Sequence, residues 1–386
     1  MPAIIPTKLI KLKWSLPWLA NYPLWRASEL SRRMLDGQNP KRLIFIVANH
    51  FEPSWNENCE PVDWATQIER VKRWRDQAEK IASTTRDCEG RAFRHTYFFP
   101  IEQYHPKLLE LLAEMQADDL GEVEIHLHHG VEKADTAENL RRTLVEMRDV
   151  LANEHKCLSR MDGVDHPMYA FVHGNFALAN SAEGHYCGVD QEMQILAETG
   201  CYVDMTLPSA PDRSQVPKLN AIYQCGRPFE EAVPHRSGKN LHVGQKEIKL
   251  PIIFTGPLVF NWAERVRGLP APRIDDGSLA ANQAMNIERL ERWRKANIAV
   301  EGKSDWVFVK LVCHGFFDFD QNSMIGPRAE SFFKEVIEQG ERTGTYEVYF
   351  ATAREAYNMV MAAVDGKQGS PGEYRDYLLR PISRIK

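Results

Sequence analysis

Across 386 residues the chain has no Cys-x-x-Cys pair, no block of Lys and Arg, and no apolar run long enough to cross a bilayer. Each absence removes a class of protein. The seven cysteines, Cys59, Cys88, Cys157, Cys187, Cys201, Cys225 and Cys313, are odd in number and widely spaced. That pattern argues against a disulfide framework and against a structural zinc site, and fits a reducing, cytoplasmic compartment. Cys201 and Cys313 fall in apolar strand-like segments and read as small buried thiols. A net charge of −5 and a pI near 6.3 provide no basic field for nucleic acid. The longest apolar runs, such as Leu43–Ala48 and Trp306–Cys313, fall far short of the ~20 residues of a transmembrane helix. Lys11, Lys13 and Pro17 interrupt the N-terminal apolar stretch, so it lacks a secretory core. Residues 1–40, with Trp14, Trp18, Tyr22 and Trp25, are expected to pack as an arm on the main domain, in preference to lying on a membrane surface. Also missing are a G-x-S-x-G elbow, a Walker A loop, an H-E-x-x-H helix and a G-x-G-x-x-G fingerprint.

What is present is ordinary globular composition, 43% hydrophobic, in which β-branched and aromatic runs alternate with segments of helical period. Eight strands are expected: Leu43–His50, Arg94–Phe99, Val123–His129, Met168–His173, Cys201–Leu207, Ile248–Phe254, Trp306–His314 and Tyr346–Thr352. Eight parallel strands with helices between them predict a single (β/α) barrel over residues 41–386. Trp64, Ile68, Val71, Trp74, Ala78 and Ile81 recur at three- and four-residue spacing and mark one buried helix face. Asp135 reads as the cap of a later helix, and Gly200 as the left-handed stop of another. The Pro-, Gly- and Ser-rich stretch 208–248 predicts a long excursion over the barrel mouth, with room for short strands.

The polar residues gather where apolar strands end. In Val123-Glu124-Ile125-His126-Leu127-His128-His129-Gly130 the two-residue period of a strand puts His126 and His128 on one face, and His129 on the other. Imidazole nitrogens suit zinc, with nickel or cobalt as alternatives, and two histidines plus a carboxylate leave a position for an activated water. Strand one ends Asn49-His50-Phe51-Glu52-Pro53, and the same alternation pairs His50 with Glu52. Glu52 is the candidate carboxylate ligand or general base, with His50 beside it. His314, after Lys310 and Val312 on one strand face, is the candidate acid that protonates a leaving amine. Asn49, His173, Asn175, Asp204 and Lys310 are candidate substrate-binding residues. The buried Lys310 ammonium needs a partner, for which Glu124 is available. Tyr97 and Trp262 are candidates for stacking on sugar rings.

These segments resemble the polysaccharide deacetylase-like superfamily of distorted (β/α) barrels, and the resemblance extends over most of the chain. Thr96-Tyr97-Phe98-Phe99-Pro100 is similar to its second-strand Thr-Phe-Phe, Glu122–His129 to its metal-binding strand, and Lys310–His314 to its late Leu-x-His segment. The resemblance implies a divalent metal held by an acidic residue and two histidines, and removal of N-acetyl groups from carbohydrate. Glu52 or His50 then stands at the acidic motif, His126 and His128 at the metal histidines, and His314 at the catalytic acid. The chain departs from the family in three places: His50-Phe51-Glu52 replaces an Asp-Asp pair, His-x-His-His replaces His-x-x-x-His, and His173-Gly174-Asn175-Phe176 replaces Arg-Pro-Pro. Two other functions compete, a carbohydrate-binding or regulatory barrel without chemistry in a glycan assembly system, and a metal-dependent amidohydrolase acting on a small molecule.

Overall fold

In the computed structural model, residues 7–35, 40–56, 58, 60–263, 265–266, 268–318 and 320–382 are described; Cys59 and the ends of the N-terminal arm lie outside them. All eight expected strands form. They are β1 (Lys41–His50), β2 (His95–Pro100), β3 (Gly121–Leu127), β4 (Tyr169–His173), β5 (Cys201–Asp204), β8 (Ile252–Phe254), β10 (Trp306–Cys313) and β11 (Tyr346–Phe350). Three short strands complete one sheet: β6 (Ile222–Cys225), β7 (Gly238–Asn240) and β9 (Ser278–Leu279). The order is β9-β10-β1-β2-β3-β4-β5-β8-β6-β7, with β11 paired to the first half of β1. Every pairing in it is parallel except β6 with β7 and with β8.

The expectation of a hydrogen-bonded barrel is corrected here, because no ladder joins β8 to β10. The two approach through other contacts. Phe254 of β8 meets Phe308 of β10 edge-on at 5.5 Å, and Lys310 Nζ of β10 donates to the carbonyls of Met205 (2.5 Å) and Leu207 (2.7 Å) in the segment after β5. The excursion 208–248 contributes β6 and β7; β6 pairs antiparallel with β8, using the hydrogen-bonding edge that β8 would have offered to β10, and β7 pairs with β6.

Alternation along the strands divides the core in two. Leu43, Phe45 and Val47 of β1, with Val123, Ile125 and Leu127 of β3, pack outward against helices. Ile44, Ile46 and Ala48 of β1, Ala170 and Val172 of β4, and Trp306 and Phe308 of β10 pack on the inner face. The outer layer contains α2 (Trp64–Thr84), α3 (Pro106–Ala117), α4 (Ala137–Asn153), α5 (Glu192–Thr199), α6 (Ile287–Ala296), α7 (Gln321–Met324) and α8 (Pro327–Thr343). The inner layer is filled partly by α9 (Ala353–Val364), which is buried along almost its whole length and places Tyr357 against Tyr202. Its polar residues Arg354, Glu355 and Asn358 are paired and the rest are apolar, so the helix belongs inside a core, where it substitutes for the side-chain layers of a closed barrel.

Helix starts follow local chemistry with one shift from expectation. The cap of α4 is Thr136, whose hydroxyl accepts from Asn139 N, while Asp135 beside it accepts from Thr136 N and from His129. Gly200 ends α5 at φ 103°, a conformation costly for any residue with a Cβ. The N-terminal α1 (Thr7–Leu35) lies on the excursion and its surroundings: Trp18 is buried among Ala210, Leu219 and Leu258, and Tyr22 packs edge-on to Phe260 at 4.8 Å. No helix among the described residues is long and apolar enough to cross a membrane. All six described cysteines are free, and Cys201 and Cys313 are buried as expected.

Candidate metal centres

The inner-face residues that end β1, β3 and β10 converge. His50 continues the inward row Ile44, Ile46, Ala48, and His126 continues the row Glu122, Glu124. Glu52 enters between them. Its Oε1 lies 3.1 Å from His126 Nε2 and 3.5 Å from His128 Nε2, and its Oε2 lies 3.9 Å from His314 Nε2. The His50 ring is 4.7 Å from the rings of both His126 and His314. One ligand atom from each of His50, Glu52 and His126 can be chosen so that all lie within 4.8 Å of one another.

Outer hydrogen bonds determine which ring nitrogens face this point. His126 Nδ1 lies 2.8 Å from the Val172 carbonyl, so it carries the proton and donates it. His128 Nδ1 likewise donates to Glu102 Oε1 at 2.7 Å. In the neutral rings both Nε2 lone pairs therefore face Glu52. Acceptor atoms aimed at one another repel unless a proton or a metal cation stands between them, and a metal-ligating histidine characteristically gives its second nitrogen to a carbonyl or carboxylate. Glu102, placed just after β2, is a participant that sequence reasoning missed; only its position behind a strand end marks it.

Charge within this cluster is strongly perturbed. Burial alone would raise the Glu52 carboxyl, but His314, His126 and His128 hold it down at about 2. Burial, with the neighbouring His314 and His126, pushes His50 well below its ordinary value and keeps it neutral. For His128 burial acts downward, yet the bond to Glu102 and the nearby Glu52 leave it raised. A partly exposed His314, 38% accessible at its side chain, stands at the solvent side. Its approach depends on Gly315, where a Cβ would come within 2.4 Å of the Trp74 ring.

The five expected substrate-binding residues are placed elsewhere. Asn49 points outward, accepting from Gly315 N (3.0 Å) and meeting His95 Nδ1 (3.3 Å), so it ties β1 to the His314 turn. Asp204 is buried and bonded to Thr206, its carboxyl pushed up to about 7 by burial against the opposing Thr206 bonds and Lys310. Lys310 is buried too, lowered to about 7 by burial against the opposing charge of Asp204. Its expected partner Glu124 instead accepts from Tyr202 OH (2.5 Å) and Ala170 N (2.6 Å). Asn175 is exposed, with φ 53°. Tyr97 is buried against Trp74 and Leu120, and Trp262 stands out in solvent beside Phe260.

His173 belongs to a second group. As an outward residue of β4, beside Tyr169 and Phe171, it faces the start of α5 along with His129, the outward continuation of β3. His129, His173, Cys187 and Glu192 are all buried, and their ligand atoms lie within 4.8 Å of one another, an arrangement able to hold a metal ion. Cys187 and Glu192 carry no signal in the sequence: Cys187 sits in an irregular loop, and Glu192 is the first residue of α5, placed by the path of that loop.

No family model matches the chain, and no curated protein matches it. The two groups stand on their geometry.

Proposed function

We propose that the chain is a metal-dependent amide hydrolase of the polysaccharide deacetylase type, removing N-acetyl groups from a carbohydrate at the His50–Glu52–His126 group. The observation that carries this reading is the convergence of imidazole lone pairs on a buried carboxylate, with the opposite ring nitrogens already committed to Val172 and Glu102. Glu52, His126 and His50 are the candidate holders of a zinc, nickel or cobalt ion, with His128 adjoining. Such an ion supplies Lewis-acid polarisation of a carbonyl and a water that ionises near neutrality.

The remaining chemistry belongs to side chains. Glu52 is ionised at neutral pH and able to accept a proton from water through the oxygen not engaged with His126. His50, neutral and buried behind it, keeps a ring lone pair for the ion. His314 stands at the accessible rim, where an imidazolium can give its proton to a departing amine. The free, mostly buried thiols suit a reducing, cytoplasmic setting.

The test is acetate release from N-acetylated amino-sugar oligomers by metal-loaded protein. Turnover is expected to vanish on chelation, to return with added metal, and to fall by about 10²- to 10⁴-fold in His314→Ala, the range for losing a general acid. Metal-loaded protein that binds these oligomers without releasing acetate would favour the carbohydrate-binding barrel instead. Acetate released only from small N-acetyl compounds would favour the small-molecule amidohydrolase.

A further inference from the structure

The second group lies on the opposite side of the same strand ends and has no place in the hydrolytic scheme. We propose that His129, His173, Cys187 and Glu192 form a closed, structural zinc site that staples the loop 174–191 to the sheet.

Each of the four side chains is held by a different neighbouring group, and each turns a ligand atom toward the others. His129 Nδ1 donates to Asp135 Oδ2 at 3.0 Å, which turns Nε2 toward Glu192 Oε1 at 3.2 Å. His173 Nδ1 donates to the Gly174 carbonyl, which leaves its Nε2 facing Glu192 Oε2 at 3.5 Å. That Nε2 is fully buried, on a side chain with 0% accessibility, and has no hydrogen-bond partner. Ala179 N donates to Glu192 Oε2 at 2.6 Å, and Val189 N donates to Cys187 Sγ at 3.4 Å. Cys187 Sγ lies 3.4 Å from Glu192 Oε2. A tetrahedral ion with bonds of about 2.0 to 2.3 Å separates its ligands by roughly 3.4 Å, close to these spacings. Backing of every ligand by a carboxylate, a carbonyl or an amide is the usual outer shell of a metal site.

Charge favours the same reading. Coordination releases the Cys187 thiol proton and the Nε2 proton that His129 carries against Glu192 to solvent, leaving a thiolate, a carboxylate and two neutral imidazoles around a dication, which sums to zero in a buried place. The contrast with the inner group is one of kind. Four protein ligands without access to water describe a structural site, whereas His50, Glu52 and His126 beside the accessible His314 leave a position open.

The loop has a need for such a staple. Asn175, Phe176, Ala179, Asn180, Glu183 and Tyr186 all take positive φ, so the segment follows no regular hydrogen-bonded pattern of its own. It is drawn against the segment after β3 at Gly130, since a Cβ there would sit 2.2 Å from the Cys187 carbonyl oxygen. Ligands from β4, from the residue after β3, from the loop and from α5 would be joined by a single ion.

Cobalt distinguishes the two groups, because only this one contains a thiol. Full-length protein produced with cobalt as the supplied divalent metal is expected to show thiolate-to-cobalt charge-transfer absorption in the near ultraviolet. The band should survive in a His50→Ala/His126→Ala variant, and Cys187→Ser should lose it together with one equivalent of metal. Cys187→His, which keeps four ligands, should retain the metal equivalent and lose only the band, so a poorly folding serine variant does not decide the matter. Folded, cobalt-exposed wild type without the band, or a band that persists in Cys187→His, would overturn the assignment and leave a hydrogen-bonded cluster centred on Glu192.

Discussion

Replacing Glu52 with alanine is expected to lower the affinity of the inner strand-end group for zinc by more than about 100-fold while the protein stays folded. The estimate is a lower bound. Changes to groups that merely orient a ligand cost about 10- to 100-fold in metal affinity, and Glu52 is itself a proposed ligand. Glu102→Ala, which removes only the partner of His128 Nδ1, should fall within that smaller range. The comparison is informative because Glu52 is the one carboxylate facing His126, His128 and His314 together. Without it the ring nitrogens retain their orientation and lose their common anion. Isothermal titration of chelated protein with zinc measures both variants; equal affinities for Glu52→Ala and wild type would show that the carboxylate is not a ligand. The outer group should continue to take up its equivalent in each case.

Arg354→Ala is expected to destabilise the fold by about 3–5 kcal/mol, the cost of leaving a buried charge unpaired. Arg354 is the second residue of α9. Its Nη2 and Nε donate to Glu122 Oε1 at 2.7 and 3.0 Å, and its Nη1 donates to Asp376 Oδ1 at 2.6 Å. Glu122 also accepts from the Thr352 hydroxyl, so its carboxylate would lose its only charged donor. Neighbouring Glu355, held well below the usual carboxylate range by Arg94 and Arg375 against burial, belongs to the same network. Replacing both partners, Arg354→Met with Glu122→Leu, removes the unpaired charge and should recover much of the loss. Urea unfolding of the three proteins checks this, and a single variant within 1 kcal/mol of wild type, roughly the value of an exposed ion pair, would contradict it. The network sits at the N-terminal ends of β2 and β3, so zinc affinity at the opposite ends should not change.

How far these features could be read beforehand depends on whether they repeat along the chain. Strands buried on both faces declare themselves as apolar, β-branched and aromatic runs, and their two-residue period separated His126 and His128 from His129. Extending that rule to β4 would also have turned His173 outward, because Tyr169, Phe171 and His173 share a face. Convergence of His50, Glu52, His126 and His314 followed from their being at the ends of parallel strands. Cys187, Glu192 and Glu102 had no such signal, since loops between strands and helices place side chains by contacts distant in sequence. Lys310 was expected to need a carboxylate and found two carbonyls of the segment after β5, an arrangement set by backbone path. The open seam between β8 and β10 was equally hidden. It depends on β6 and β7, short strands within a Pro- and Gly-rich stretch, and on α9, whose apolar run from Ala356 to Val364, broken only by Asn358, marks burial without saying on which face.

The central claim is that the inner strand-end histidines and Glu52 hold a divalent metal. Metal content of the purified, zinc-supplied protein, measured beside His50→Ala/His126→Ala, tests it most directly. The double variant is predicted to carry one equivalent less than wild type, whatever the outer group contributes to the total. Equal metal content in two well-folded proteins would contradict the claim.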